Sequence, residues 1–422
     1  MHTTNLRAHP SPAWDARYEL KAVALLAIGF GMVGLDRFII NPLFPVMQKD
    51  LGLGYQDLGL ISAVLALGWG VASIFCGRLS DRIGRKRVLV PAIAVFSLLV
   101  ATSGLATGLL SLLVIRGLMG LAEGAYVPAS IVATIEASKL TRIGLNIGLQ
   151  QMASPLVGSF LGPLIAIGLL KVLPSWHWVF AVVAVPGLIV AWLMARVLRD
   201  QRPAAAPSAR VLAEPAASWR DVLSQRPVVV NTALMCCFLT CLIVIAAFMP
   251  NYLVDHLKLS LDTMSWVLAG FGGGGCLGMV LVPALSDRLG RKPVMIGALT
   301  VALAMLWVLP SLGGDRPELV CAALFVAAFM NTGALAINVG PLTHGSVPQR
   351  LVTTATGLVV GIGEIFGGAV APAFAGGLAQ RMGIGVAPWI SLSAIALALL
   401  IAVFAVREPG RQPTFSPKPA AT

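Results

Sequence analysis

The chain has 422 residues, 57% hydrophobic and only 11% charged, and its 30 Lys and Arg against 18 Asp and Glu give a formal net charge of +12. A soluble chain of this length carries about a quarter charged residues. The composition therefore excludes a set of globular cores in water and points to lipid as the solvent.

The first twenty residues carry Asp15 and Glu19 and no apolar core before Lys21, so no cleaved leader is expected and the first hydrophobic span should remain as a helix. Long apolar segments follow at 22–46, 57–78, 88–107, 109–135, 142–170 and 177–197, then at 227–253, 262–284, 293–312, 317–341, 351–380 and 386–406. Stretches such as Val88 to Ala106 and Leu392 to Val406 are apolar all round and lack the alternation of a barrel strand. In hydrocarbon the backbone must satisfy its own hydrogen bonds, so these segments read as helices. The expected fold is all-α and membrane-integral, with twelve spans in two six-helix bundles. The expected organisation is a tail at 1–21, a bundle at 22–197, a linker rich in Ala, Pro and Arg at 198–226, a bundle at 227–406 and a tail at 407–422.

An internal repeat supports the division. Leu79-Ser80-Asp81-Arg82-Ile83-Gly84-Arg85-Lys86 recurs 206 residues later as Leu285-Ser286-Asp287-Arg288-Leu289-Gly290-Arg291-Lys292, each time after the second span of its half. The basic residues are distributed just as regularly. Of the 30, 23 fall in the tails, the linker and the loops on one side, five fall in the alternate loops, and Arg37 and Arg116 lie inside spans. This asymmetry predicts that both termini are cytoplasmic in an inner (plasma) membrane. It also removes nucleic acid as the reason for the positive charge.

With these motifs in view, the chain resembles the major facilitator superfamily over nearly its whole length. Gly77 to Arg87 is similar to that family's cytoplasmic loop motif, and the second copy has Pro283 where the first has Gly77. The resemblance implies a gate at which Asp81, with Arg82, Gly84, Arg85 and Lys86, and Asp287, with Arg288, Gly290 and Arg291, form charge pairs at helix ends. A solvated loop obeying the charge rule accounts for the Arg and Lys but not for the repeated Asp and Gly.

Five charges lie deep within spans: Asp36, Arg37, Arg116, Glu123 and Glu364. Each costs about 2.5 to 3.5 kcal/mol on insertion scales, so each is a functional candidate. Asp36 and Arg37 are adjacent on one helix and point about 100° apart, so each needs its own partner. Arg116 and Glu123 are two turns apart on one face, ~10.5 Å along the axis. This pairing of Leu35-Asp36-Arg37 with Arg116-x₆-Glu123-Gly124 resembles the anion:cation symporter branch of the superfamily, with Val33 and Gly34 where aromatic residues are common. The resemblance implies Asp36 and Glu123 as proton sites, Arg37 as the substrate-carboxylate site, and Arg116 as partner to a carboxylate. A buried Arg116–Glu123 pair that serves packing is the alternative.

Glu364, within the glycine-rich Gly361 to Gly368, is a candidate third proton site or a selectivity charge. Gln151 and Asn338 are candidate hydrogen-bonding groups for substrate, with Gln150, Asn251, Tyr252 and Asn331 behind them. Polar residues in spans also serve to bridge helices. Gly272 to Gly275 lacks the Lys-Ser/Thr of a phosphate loop and reads as a packing face. Gly158-x₃-Gly162-Pro163 resembles part of an antiporter motif, and the same spacing serves close packing. The six cysteines form no CxxC pair and have no histidine spaced to complete a metal site.

The expected function is proton-coupled uptake of a small organic anion, such as a sugar acid or an aromatic acid, by alternating access of a monomer in the lipid bilayer. No metal or cofactor beyond the coupling proton is expected, and no enzyme activity, since no nucleophile–base–orienter set can be named. Proton-driven efflux of a hydrophobic compound is the alternative. A non-transporting membrane sensor is a remote one.

Overall fold

A computed structural model describes residues 15–199, 219–348 and 351–407. Twelve helices among them are long and apolar enough to cross a membrane. The first bundle holds α1 (Ala16–Leu51), α2 (Tyr55–Ile83), α3 (Arg85–Ser103), α4 (Leu109–Ala137), α5 (Leu140–Val172) and α6 (Trp176–Val197). The second holds α7 (Arg226–His256), α8 (Leu261–Leu289), α9 (Arg291–Ser311), α10 (Pro317–Ser346), α11 (Thr354–Met382) and α12 (Ile384–Phe404).

The main departures from the hydropathy reading are at helix ends that leave the apolar zone. The first helix starts at Ala16 rather than near residue 22, because Asp15 caps it by accepting hydrogen bonds from the N–H groups of Arg17 and Tyr18 at 3.1 Å each. The N–H of Tyr18 and the nearby Arg199 guanidinium hold the Asp15 carboxyl below its ordinary range. The repeated motif, read as a loop, is largely helical. The second helix continues to Ile83 and the eighth to Leu289, and a single glycine separates each from the next helix. Hydropathy falls where charge begins, but helical hydrogen bonding does not. It stops at Gly84 (φ 100°, ψ 147°) and Gly290 (φ 98°, ψ 152°), a backbone region that is essentially reserved for glycine. The linker expected at 198–226 lies mostly outside the described residues, which resume with a short helix at Trp219–Leu223. Residues 1–14 and 408–422 of the expected tails also lie outside them.

Helix packing repeats between the halves. In the first bundle α2 and α3 pack on α4, α3 on α6, and α1 on α5 and α6; in the second, α8 and α9 pack on α10, α9 on α12, and α7 on α11 and α12. The bundles meet through α2 on α11, α8 on α5, and α1 with α7. Close approach requires small residues. A Cβ on Gly272 of α8 would collide with the backbone of Ser159 on α5, so the glycine-rich segment is a packing face.

Contact between bundles is concentrated at the end remote from the repeated basic motifs. There α2 packs on the Glu364–Val370 and Ala371–Met382 segments of α11, and α8 on the Pro155–Leu161 and Gly162–Val172 segments of α5. Polar bonds join the same end. The Tyr55 hydroxyl donates to Asp255 Oδ2 at 3.0 Å, Asn251 Nδ2 donates to Gln48 Oε1 at 2.7 Å and to Asp255 Oδ2 at 2.9 Å, and Lys171 pairs with Asp262 at 2.6 Å. Toward the basic end, the Ile143–Ser154 segment of α5 and the Val352–Gly363 segment of α11 pack chiefly within their own bundles. The bundles therefore part toward the basic end, with the vertex partway along the helices.

Candidate functional site

Arg37 stands at that vertex. Its Nη2 lies 2.9 Å from Glu364 Oε2, and the two side chains are 15% and 12% exposed. Glu364 is the first residue of a π-helical turn, Glu364–Val370, that widens α11 where it meets α2. The Arg37 guanidinium also lies 5.7 Å from the Phe38 ring centre and 5.9 Å from that of Trp69, within cation–π range. The sequence pointed to both charges but not to their pairing, which crosses from one bundle to the other.

Arg116 makes no ion pair with a carboxylate among the described residues. Its one hydrogen bond among the described residues runs from Nη1 to the main-chain carbonyl of Asp36 at 3.0 Å, one turn before an irregularity in α1 at Ile39. Arg116 Nε and Nη2 and both carboxylate oxygens of Glu123 are buried without a hydrogen-bond partner among the described residues. Spacing explains the missing pair. Seven residues along one helix separate the two groups by ~10.5 Å of rise, so they face each other only through intervening groups. Asp36, at 2% exposure, lies within electrostatic reach of both.

A cavity opens beside these groups, with Arg37, Arg116, Asn41 and Ser62 as its polar lining and Ile61 and Ile243 among its apolar walls. Asn41 is 6% exposed and makes no side-chain hydrogen bond among the described residues. It escaped the sequence reading, although its position four residues after Arg37 places it on the same helix face.

The two adjacent glutamines serve different ends. Gln150 is fully buried, accepts from Thr134 Oγ1 at 2.7 Å and donates to Ser130 Oγ at 2.7 Å, which fastens α5 to α4. Gln151 is half-buried, and its Oε1 has no partner among the described residues. Asn338 lies apart from the cavity and donates through Nδ2 to the Asn231 carbonyl at 2.9 Å, binding α10 to α7, while its Oδ1 has no such partner. Asn331 similarly donates to the Phe238 carbonyl at 3.3 Å. Gly158 of the motif in α5 abuts the backbone of Gly34 on α1 and thus serves close packing.

At the motifs, Arg85 donates to Ser80 Oγ at 3.2 Å and pairs with Glu136 of α4 at 3.4 Å. In the second copy Arg291 donates to Ser286 Oγ at 2.6 Å and forms an ion pair with Asp287, one turn earlier. Arg82 and Arg288 are exposed and Lys86 half-buried, while the side chain of Asp81 lies outside the described set. Gly77 lies within helical α2.

The comparisons agree with this architecture. The Major Facilitator Superfamily matches residues 26–249 and 234–422. The hexuronate transporter of Bacillus subtilis is 29% identical over 63% of this chain and 64% of that protein. The sialic acid transporter NanX of Escherichia coli is 26% identical over 93% of this chain and 95% of that protein, and the gallate transporter of Pseudomonas putida is 27% identical over 87% and 88%. Among solved structures, a bacterial homologue of the human lysosomal transporter Spinster superposes with a TM-score of 0.74 at 15% identity, covering 93% of this chain and 96% of that one. The chain belongs to the Major Facilitator Superfamily and is a multi-pass membrane transporter, not an enzyme.

Proposed function

We propose that this transporter carries a small organic anion into the cell together with protons. The observation that carries the reading is the Arg37–Glu364 bond at the vertex of the cleft, beside a cavity that opens onto Arg37 and Arg116. A guanidinium matches a carboxylate with paired N–H donors. The protein's own carboxylate holds the place that a ligand carboxylate would take.

Charge balance supports proton coupling. Asp36, Glu123 and Glu364 set three acids against Arg37 and Arg116, so one proton shared among the carboxylates neutralises the cluster. An arriving anion adds a further negative charge in a medium where unpaired charge is expensive, and a second proton offsets it. Proton and anion then favour each other's binding. The names of the relatives, which print hexuronate, sialic acid and gallate, support an organic acid as cargo.

The vertex geometry supports alternating access. The positive-inside distribution supports a cytoplasmic position for the basic end in a bacterial inner membrane. The bonds of Tyr55, Asp255, Asn251 and Gln48 then close the outer face, and rocking of the bundles exposes the site to either side. Efflux of a neutral hydrophobic compound would offer Arg37 no ligand carboxylate to bind.

Proton uptake into proteoliposomes challenged with sugar acids, aromatic acids and dicarboxylates tests this reading. One or more anions should drive proton entry in the intact protein, and Arg37→Ala and Asp36→Asn should abolish it. Expulsion of a lipophilic compound against a proton gradient, with no anion response, would replace uptake by efflux.

A further inference from the structure

Away from the cleft, the outer edge formed by α1 and α6 carries two matched stripes. Arg17, Lys21 and Ile28 are spaced i, i+4 and i+11 along one exposed face of α1, and Ile189, Trp192 and Arg196 are spaced i, i+3 and i+7 along one exposed face of α6. Ile28, Ile189 and Trp192 are 48%, 52% and 57% exposed. Each stripe is basic at the end that holds the repeated motifs and apolar farther in. Ile28 lies about two and a half turns from Arg37, so the α1 stripe points away from the cleft. The ends of the two helices are stitched together, because the Arg199 main-chain N–H donates to the Tyr18 hydroxyl at 3.2 Å and its guanidinium pairs with Asp15 at 2.8 Å.

We infer that this edge binds an anionic phospholipid, its phosphate held by Arg17, Lys21 and Arg196 and its acyl chains lying along Ile28, Ile189 and Trp192.

Charge complementarity selects the head of the ligand. The acids at this end are engaged elsewhere, Asp15 with Arg199 and the buried Glu19 with the Asn146 amide at 2.8 Å. Arg17, Lys21 and Arg196 make no ion pair among the described residues, and the Arg196 guanidinium lies 5.3 Å from the Trp192 ring centre. Each base held near an anionic surface strengthens binding about fivefold. The apolar continuation of both stripes selects the rest. A soluble anion would satisfy the charges and leave the hydrocarbon-facing surface unused, whereas a phospholipid matches both, with Trp192 at the level where amphipathic rings settle.

The twofold repeat supplies an internal control. The topology rule alone would load the basic ends of both bundles alike. In the second bundle, α7 has Arg226 as its one Lys or Arg, and α12 has no basic residue in its last turn. The end of α12 is satisfied from within, since Lys292 of the repeated motif donates to the carbonyls of Val403 and Val406 at 2.8 Å each. The outward-facing cluster therefore belongs to the α1–α6 edge.

Tryptophan quenching tests the inference in the full-length protein, reconstituted in phosphatidylcholine bilayers with rising fractions of brominated phosphatidylglycerol or brominated phosphatidylcholine. The Trp192 signal is the part that disappears in Trp192→Phe. Brominated phosphatidylglycerol should quench it at about a tenfold lower fraction than brominated phosphatidylcholine. Arg17→Gln, Lys21→Gln and Arg196→Gln combined should abolish the preference, and each alone should lower it about two- to threefold. Arg17→Lys with Arg196→Lys, and Arg226→Gln in the second bundle, should leave it intact. Equal quenching by the two lipids, or an undiminished preference in the Gln variants, would overturn the inference. So would removal of the preference by inorganic phosphate at constant ionic strength, which would assign the three bases to a free anion.

Discussion

Arg37 on α1 and Glu364 on α11 meet at 2.9 Å, a bond between groups in different bundles at the point where the cleft ends. On the proposed reading, Glu364 would compete with a substrate carboxylate for Arg37, and its bond to Arg37 joins the two halves. Exchange of one carboxylate for another at a fixed guanidinium requires little reorganisation of the cation. It changes which bundle the cation is tied to.

The competition predicts opposite effects for the two partners. Arg37→Ala should lower anion uptake by about 100-fold or more, on the order of 3 kcal/mol for loss of a charge-assisted pair. Glu364→Gln should lower the apparent KM for the anion severalfold, because the internal competitor is weakened, while the accumulation ratio falls. Initial rates and steady-state accumulation in proteoliposomes read both. Equal loss of affinity in the two variants would sink the competition.

The closed end should respond to Tyr55→Phe. The hydroxyl donates to Asp255 across the bundles, and a hydrogen bond of this kind contributes about 1 kcal/mol. Its removal should shift the balance between the two access states about fivefold toward opening of that end. Distances between spin labels on the loops at 104–108 and 312–316 measure the populations.

Gln150 and Gln151 should separate stability from transport. Gln150→Leu strands the hydroxyl of Thr134 and removes the donor to Ser130 Oγ, which keeps its bond to the Val127 carbonyl, and should destabilise the protein by about 1 to 3 kcal/mol. Gln151→Ala should leave the thermal midpoint of the purified protein nearly unchanged, since no bond of its Oε1 is lost. Thermal unfolding in detergent, followed by tryptophan fluorescence, compares the two directly.

The paired glycines of the repeated motif make a fourth test. Gly84→Ala and Gly290→Ala should each cost about 1 to 3 kcal/mol, because both positions have φ near +100° with extended ψ. Gly144→Ala, at a position where a Cβ meets open space, is the control and should be close to neutral. A neutral Gly84→Ala would mean that the turn between α2 and α3 can be rebuilt without strain.

The membrane class, the twelve spans and the twofold repeat were determined by the sequence alone, because hydrocarbon leaves the backbone few options and imposes a length on every crossing. The deep charges were legible for the same reason: a charge in a span stands out against its apolar neighbours. Which charge meets which was decided by the tertiary structure. Arg37 could be singled out from its helix, but its bond to Glu364 depends on how α11 lies against the first bundle, and Arg116 turned to a main-chain carbonyl that no side-chain pattern announces. The same holds for the polar residues. Gln150 and Gln151 are equivalent in composition and differ by about 100° in direction, and only the packing of α4 against α5 buries one and leaves the other with an unused oxygen. Local chemistry and span length are written along the chain, whereas partner choice is a property of helix faces brought together from far apart in sequence, and it exists only once the bundles have packed.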